Sequence, residues 1–546
     1  MSVRTVLSDV AFNAKSLGKF VPAVLESGIV DPTAGLESVA KLPAVLGRYW
    51  FTLAREVEQA AITCPERLAL IDDDGTLTYR QFQSESKLIA RHLLSLGLAE
   101  IRLGVMARNG RGILLPMAAK GYAGATIFLL NVGSSPEQLA GVIEENRINV
   151  LVIDDEFLDR VPEVEDLHLI IAHQSRPTEL LTLRQIVSRP EQLAGVRLPL
   201  LPRHGAIVLM SSGTTGIPKG VVRPEPKLPF VLAGVLEKIP LKANMHVQMT
   251  ASMFHTWGWS LTNICFAARH TLVTQRVFDP ENCFVQIEKY RLQAMISSPI
   301  FLKQMLQVEG NEKYDTSSLE IIASSGNALT PALVEAVRER FGPIMGNIYG
   351  STELTLAASA SAEEINADPT VAGNISIGTR LKILDEHGVE LPVGTVGRIY
   401  LKNSTSLTGY TNPEIPVKRV GDLVEIGDLG YLDERNRLHV LGRIDDMIIV
   451  GGENVYPGSV MDVLEPMPGV ADLHAAGVDD PETFERIAVW IVRSEDEAGR
   501  ALTEQSVRDW VLEKLADHSV PRDVHFVTEL PRNVTGKVVP RQLPGI

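Results

Sequence analysis

Cysteine, long apolar runs and basic charge are what this 546-residue chain has little of, and each shortage excludes something. Its three cysteines, Cys64, Cys265 and Cys283, are widely separated and odd in number. They therefore lack metal-ligand spacing and form no complete disulfide framework; small buried thiols in a reducing, cytoplasmic setting are expected instead. No apolar run approaches the roughly 18 residues that a membrane-spanning helix needs. The N-terminus has no uninterrupted hydrophobic segment, so no signal peptide is expected. Basic charge is short too: 52 Lys and Arg stand against 67 Asp and Glu, a net charge of −15. Such a balance argues against general nucleic-acid binding, and a polyanionic substrate must be held by local donors. What remains is 45% hydrophobic and 22% charged, the composition of a globular protein with ample core, too long for one ordinary domain.

The most informative segment is Ser211-Ser-Gly-Thr-Thr-Gly-Ile-Pro-Lys-Gly220. An apolar run, Ala206 to Met210, leads in, and Val221-Val222 follows, which reads as strand, loop, strand. Glycines let successive amides converge on an anion, while Ser211, Ser212, Thr214, Thr215 and Lys219 add donors and charge. The loop is built to hold phosphate. It is not a Walker A loop, because Pro218 falls where that motif needs its second glycine and no Ser or Thr follows Lys219.

The rest of the chain has an α/β rhythm. Thr76–Tyr79, Leu103–Met106 and Ala125–Leu130 read as extended, Gln81–Leu96 and Gly112–Gly121 as helical. The alternation resumes over 206–350, implying two lobes of mostly parallel sheet. Beyond Ile377 hairpins take over, Leu381–Asp385 against Gly397–Leu401 and Tyr431–Asp433 against Leu438–Leu441. The expected organisation is an N-terminal helical extension (1–50), a large domain of two lobes plus a β-rich subdomain (51–443), a hinge (444–446), and a small mobile α+β domain (447–546) with a helix near Glu504–Ala516. Val6, Leu7, Val10, Phe12, Leu17, Phe20, Val21, Val24 and Leu25 give the extension an amphipathic helix. Its five basic and four acidic side chains nearly cancel, so packing on the protein itself or on a second copy is preferred to peripheral membrane contact.

Five stations in order resemble the signatures of the AMP-forming adenylation superfamily, in its fatty acyl-CoA synthetase branch. They are the 211–220 loop, Tyr349-Gly-Ser-Thr-Glu353, Gly427-Asp428, Gly442-Arg443 through Asp445 to Gly451-Gly452, and Pro531 to Lys537. The resemblance implies ATP, Mg²⁺ and CoA as co-substrates. Ser211, Ser212, Gly213, Thr214, Thr215, Gly216 and Lys219 would cradle the leaving phosphates. Glu353 would meet the metal and Thr352 the α-phosphate, with Tyr349, Gly350, Ser351, Ser325, Gly326 and Asn327 around adenine. Asp428 would hold the ribose and Arg443 the same ribose or phosphate, with Asp445 at the pivot and Gly451 and Gly452 beside the pantetheine arm. Lys537 would stabilise charge at the reacting oxygens. Two departures stand out: Asn327-Ala328 lacks the family's usual proline, and Ile426 replaces the threonine usual before Gly427-Asp428.

Ser252-Met-Phe-His-Thr-Trp-Gly-Trp-Ser260 resembles the acyl-pocket motif of fatty acyl-CoA synthetases, with His255 between acyl chain and adenylate. Phe254, Trp257, Trp259, Ile300 and Phe301 would supply an apolar wall, although the same residues equally suit an ordinary core. The expected reaction is therefore a fatty acid, medium- or long-chain, joined to CoA through acyl-AMP. Two alternatives stand beside it. One is a fatty acyl-AMP ligase loading a carrier protein; such ligases generally contain an extra insertion after the Tyr-Gly-x-Thr-Glu region, for which the 75 positions from Glu353 to Asp428 leave little room. The other is a non-catalytic acyl-nucleotide sensor, against which an intact Lys537 argues.

Overall fold

The computed structural model describes residues 3–30, 36–211, 217–223, 230–327, 329–450, 453–480, 484–533 and 536–545. Among these residues the chain builds three sheets of 14, seven and five strands. In the seven-stranded sheet, Ile207–Ser211, Thr126–Leu129, Arg102–Met106, Val150–Ile153 and His168–Ile171 run parallel. Val150–Ile153 is buried along its whole length, as a central parallel strand covered on both faces must be. Lys219–Arg223 then returns antiparallel beside Ile207–Ser211, with residues 212–216 between them outside the described residues.

The largest sheet has a parallel centre, with Thr271–Val273, His246–Met249, Ala294–Ser297, Ile321–Ser324 and Met345–Tyr349 side by side. Leu68–Asp72 joins it through Leu70↔Leu272, a pairing that local periodicity does not announce. The hairpin strands expected beyond residue 377 are present, Arg380–Leu384 on Gly397–Lys402 and Leu423–Leu432 on Arg437–Arg443. They do not form a free-standing unit. They extend the largest sheet through Gly373–Ile375 and Ala358–Ala360. One buried cluster, including Leu103, Val105, Val247, Phe266 and Ile296, joins the two large sheets.

Caps explain where the sequence boundaries shift. The second long helix starts at Tyr79 because Thr78 accepts from the Gln81 amide and Gln81 bonds back in a capping box. The helix Arg111–Ala123 stops at Gly124, whose φ of +76° only glycine adopts easily. The N-terminal extension is two helices, Val3–Glu26 and Leu36–Tyr49. It lies on the large domain: Phe20 packs edge-on to Phe230 with ring centroids 5.8 Å apart, and Lys19 pairs with Glu237 at 3.0 Å. Arg269, almost fully buried, donates to the Gly28 and Ile29 carbonyls. Packing on its own protein therefore accounts for the extension's buried side.

After a 3-10 turn at Ile444–Asp446 the third sheet begins. Its antiparallel pair Val470–Asp480 and Phe484–Arg493 packs beneath the helices Pro457–Leu464 and Glu504–Lys514. Val460, Leu464, Val489, Val507 and Val511 give this small α+β unit a core of its own.

Candidate functional site

The predicted residues gather where the parallel strands of both large sheets end. Ser211, Ser325 and Tyr349 each sit at a strand's carboxyl end, and Ser252 to His255 follow His246–Met249. Open α/β sheets bind ligands at that edge, since the loops leaving it are free to diverge.

Tyr349 donates its hydroxyl to Asp428 Oδ2, and Arg443 Nη1 reaches Asp428 Oδ1 at 3.3 Å. Asp428 and Arg443 are register partners in one hairpin, so the backbone itself sets them opposite each other. Gly427 lies at φ +80°, and a Cβ there would come 2.9 Å from the Arg443 guanidinium. Burial raises the pKa of Asp428, with the Tyr349 hydroxyl and Arg443 acting against it. The Tyr349 phenol is raised well above its usual value by burial and by Asp428, so it remains a donor.

Glu353 is half-buried at the tip of a sharp bend. A Cβ on Gly350 would lie 1.8 Å from the Thr355 carbonyl oxygen, and Thr355 itself has φ +68°. Only glycine permits this close approach. The Tyr410 hydroxyl lies 3.4 Å from Glu353 Oε1, leaving the other oxygen for a ligand. Among the described residues no group of three or more His, Cys, Asp or Glu could hold a metal alone. One accessible carboxylate suits Mg²⁺, which takes substrate oxygens and water for the rest of its shell.

Arg223 is the functional residue that the sequence did not reveal. It is 1% exposed, grips Thr355 Oγ1 and the Ser351 carbonyl at 3.3 Å, and lies 5.9 Å from the Trp259 ring centroid. Burial pulls its pKa down to about 9, opposed by Glu353. It stands on the strand leaving the phosphate loop and clamps the bend that carries Thr352 and Glu353. No pattern around Val222-Arg223-Pro224 signals this, because both partners lie more than a hundred residues away.

Lys537 reaches the same place from the chain's end. Its amide bonds Asn533 Oδ1 at 3.0 Å, and Gly536, at φ +80°, sets the turn against Ile300. Lys537 stays accessible at the cleft mouth, where desolvation and then Arg443 lower its pKa against Asp428 and Asp446. His255 lies on the other side. Burial, and after it the Lys537 charge, pushes it down to about 4, and its Nε2 has no partner among the described residues.

The remaining predicted residues divide. Phe254 and Phe301 line a solvent-open cleft of about 500 Å³ with Phe278, Asn109, Thr250 and Gln275. Trp259 lines a separate, smaller cavity with Met117, Lys120 and Ile207. Trp257 donates its indole N–H to the Ser297 carbonyl at 2.9 Å, and Ile300 is taken up by the Gly536 turn. The apolar wall expected from sequence is thus not one surface. Lys219 is exposed at a strand start, Ser325 is buried, Gly326 has φ +96°, and Asn327 is half-buried beside it. Ser212, Gly213, Thr214, Thr215, Gly216, Ala328, Gly451, Gly452 and the Asp445 side chain lie outside the described residues.

Histidine burial predicts a pH dependence. His255 and the almost fully buried His270 are both held near 4, below the ordinary 6.5. The unfolded chain therefore binds more protons between those values, and stability falls as pH drops from about 6.5 towards 4. Melting temperature followed over that range should decline, and replacing His270 with glutamine should flatten part of the slope.

A two-domain α/β chain with a nucleotide-shaped set of donors at the strand ends, and a lysine brought in by the tail, defines an adenylate-forming enzyme. The AMP-binding enzyme family profile matches residues 57–411, and the AMP-binding enzyme C-terminal domain matches 461–537. The chain belongs to the AMP-binding enzyme family. It is 28% identical over 498 residues to the 2-succinylbenzoate--CoA ligase of Bacillus cereus, covering 90% of this chain and 98% of that one. The anthranilate CoA ligase AuaEII, solved with anthranoyl-AMP, shares the fold with a TM-score of 0.80 and 24% identity, over 90% and 96% of the chains. ATP-bound MatB from Rhodopseudomonas palustris does so with a TM-score of 0.79 and 24% identity, over 90% and 97%.

Proposed function

We propose that the acid activated here is compact and ring-bearing, and that the enzyme is an AMP-forming acid–thiol ligase with ATP, Mg²⁺ and CoA as co-substrates. The convergence of Tyr349, Asp428, Arg443, Glu353 and Lys537 on one cleft carries the reading. In the first step a carboxylate oxygen bonds to the α-phosphorus of ATP, and the bond to pyrophosphate breaks. In the second, the CoA sulfur bonds to the acyl carbon, the thiol proton leaves, and AMP departs with the mixed-anhydride oxygen.

Each step joins or separates anions, so catalysis is positioning plus charge stabilisation. Asp428 accepts from the ribose hydroxyls while Arg443 fixes its carboxylate and Tyr349 lies against the base. Glu353 would hold Mg²⁺, which neutralises phosphate charge when bound. Thr352 and the 211–219 loop hold phosphate oxygens, and Lys537 sits opposite the charge that builds at the reacting centre. His255, neutral at physiological pH, separates the acyl side from the nucleotide side without adding charge.

A fatty acid is the weaker reading of the substrate. The curated relative from Bacillus cereus is named for an aromatic acid, 2-succinylbenzoate. The cleft beside Phe254 is mixed: Phe254, Phe278, Phe301 and Val132 stand with Asn109, Thr250, Ser252, Gln275, Arg108 and Arg276, a lining that suits a ring bearing polar or anionic substituents better than a long alkyl chain. The purified protein, given ATP, Mg²⁺ and CoA, should release AMP and thioester at least about tenfold faster with benzoate-type acids than with medium- or long-chain fatty acids. A fatty acid as the best substrate would overturn the choice of acid. AMP released without thioester would overturn CoA as the acceptor.

A further inference from the structure

We propose that Asp472 is a positioning residue for adenylation, a clasp that ties the small domain to the large one and holds the Lys537 turn over the cleft. It rests on the two-step reading above. Asp472 lies at an irregularity in the strand Val470–Asp480, where the register to Phe484–Arg493 shifts between Val470 and Asp472. Such a shift re-aims a side chain out of the regular alternation. The two carboxylate oxygens then take different partners. Oδ1 meets Lys303 Nζ at 3.2 Å, and Oδ2 meets Arg532 Nη2 at 2.6 Å.

The two cations have different duties. Lys303 belongs to the large domain, on the helix Pro299–Leu306. Arg532 belongs to the tail, and its Nη1 donates to the Gly536 carbonyl at 2.6 Å, one residue before Lys537. The same large-domain helix offers Ile300, one turn from Lys303, as the surface on which Gly536 packs. An ion pair and an apolar contact on one helix therefore fix the turn that delivers Lys537. His474, two residues along the strand, is pushed down to about 4 by burial and by Arg532, so it adds no competing charge at neutral pH.

A part-buried ion pair of this kind contributes little to the stability of a fold by itself. Here the pair crosses the domain boundary, so it exists in one arrangement of the domains and is absent once the Lys537 turn withdraws. Whatever it contributes biases that equilibrium in full.

The test uses the full chain and measures two half-reactions separately: ATP–pyrophosphate exchange, and thioester formation from a supplied acyl-adenylate. Lys303→Ala and Asp472→Asn should each slow exchange about fivefold while leaving thioester formation unchanged or faster. Lys303→Arg should retain exchange. The double variant should lose no more than the worse single one, because both remove the same contact. Equal loss in both half-reactions, or additive losses in the double variant, would overturn the clasp. Unchanged thioester formation also serves as the folding control, with Lys303→Ala altering only the large domain. If the wild-type protein supports no exchange with any acid, the two-step reading fails and not the clasp alone.

Discussion

Replacing Lys537 with alanine is expected to slow acyl-adenylate formation by about 100- to 1000-fold, the usual effect of removing one donor aimed at developing charge. Thioester formation from a supplied adenylate should change little. The separation follows from where the ammonium sits. It comes from a separate unit of the fold, and it shares the electrostatic environment of Asp428, Arg443 and His255. Lys537→Arg keeps the charge but replaces a compact ammonium with a wide planar fork, so it should recover only part of the loss. Pyrophosphate exchange and single-turnover measurements separate the two steps, and retained exchange in the alanine variant would refute the assignment.

Asp428→Ala should raise the KM for ATP by about 10- to 100-fold, because hydrogen bonds to a charged group contribute roughly 1.5–3 kcal/mol. It also leaves Arg443 and the Tyr349 hydroxyl without the carboxylate that now joins them. Tyr349→Phe removes one arm of that arrangement and leaves Asp428 in place. It should cost about tenfold or less in KM, with the fold unchanged. Asp428→Asn keeps the shape, loses the charge, and should fall between the two. Should Asp428→Ala lower turnover while leaving the KM for ATP untouched, the carboxylate is not holding the nucleotide.

The chemistry was more legible in the sequence than the pocket was. Asp428 and Arg443 were legible only through the resemblance of their flanking motifs, because the hairpin read from the sequence, Tyr431–Asp433 against Leu438–Leu441, stops short of the register that sets them opposite each other. Gly350 came with the same resemblance, and the structure supplies its physical reason: a Cβ there would meet the Thr355 carbonyl oxygen. Arg223 was not readable, since its burial depends on Thr355 and Ser351, far along the chain and brought near only by the packing of two sheets. The strand Leu68–Asp72 escaped for the same reason: its parallel partner is Thr271–Val273. The acyl wall was read as a single surface because Phe254, Trp257 and Trp259 are neighbours in sequence. Phe254 precedes the helix Thr256–Ala267 while Trp257 and Trp259 point off different sides of it, so Trp259 faces Arg223 and a different cavity. Apolar side chains do not announce which void they border, and the size of the acid was therefore the least secure inference.

The strand that carries Arg443 ends there, and Ile444–Asp446 begins at the next residue. No slack separates the guanidinium proposed to brace the ribose-binding carboxylate from the segment proposed as the pivot of the tail unit. On that reading a pull on the guanidinium is delivered to the joint within one peptide bond, and loss of pyrophosphate or departure of AMP is felt as torque without any relay through the core. Glycines inserted between Arg443 and Ile444 should uncouple ligand occupancy from domain orientation while leaving both halves folded.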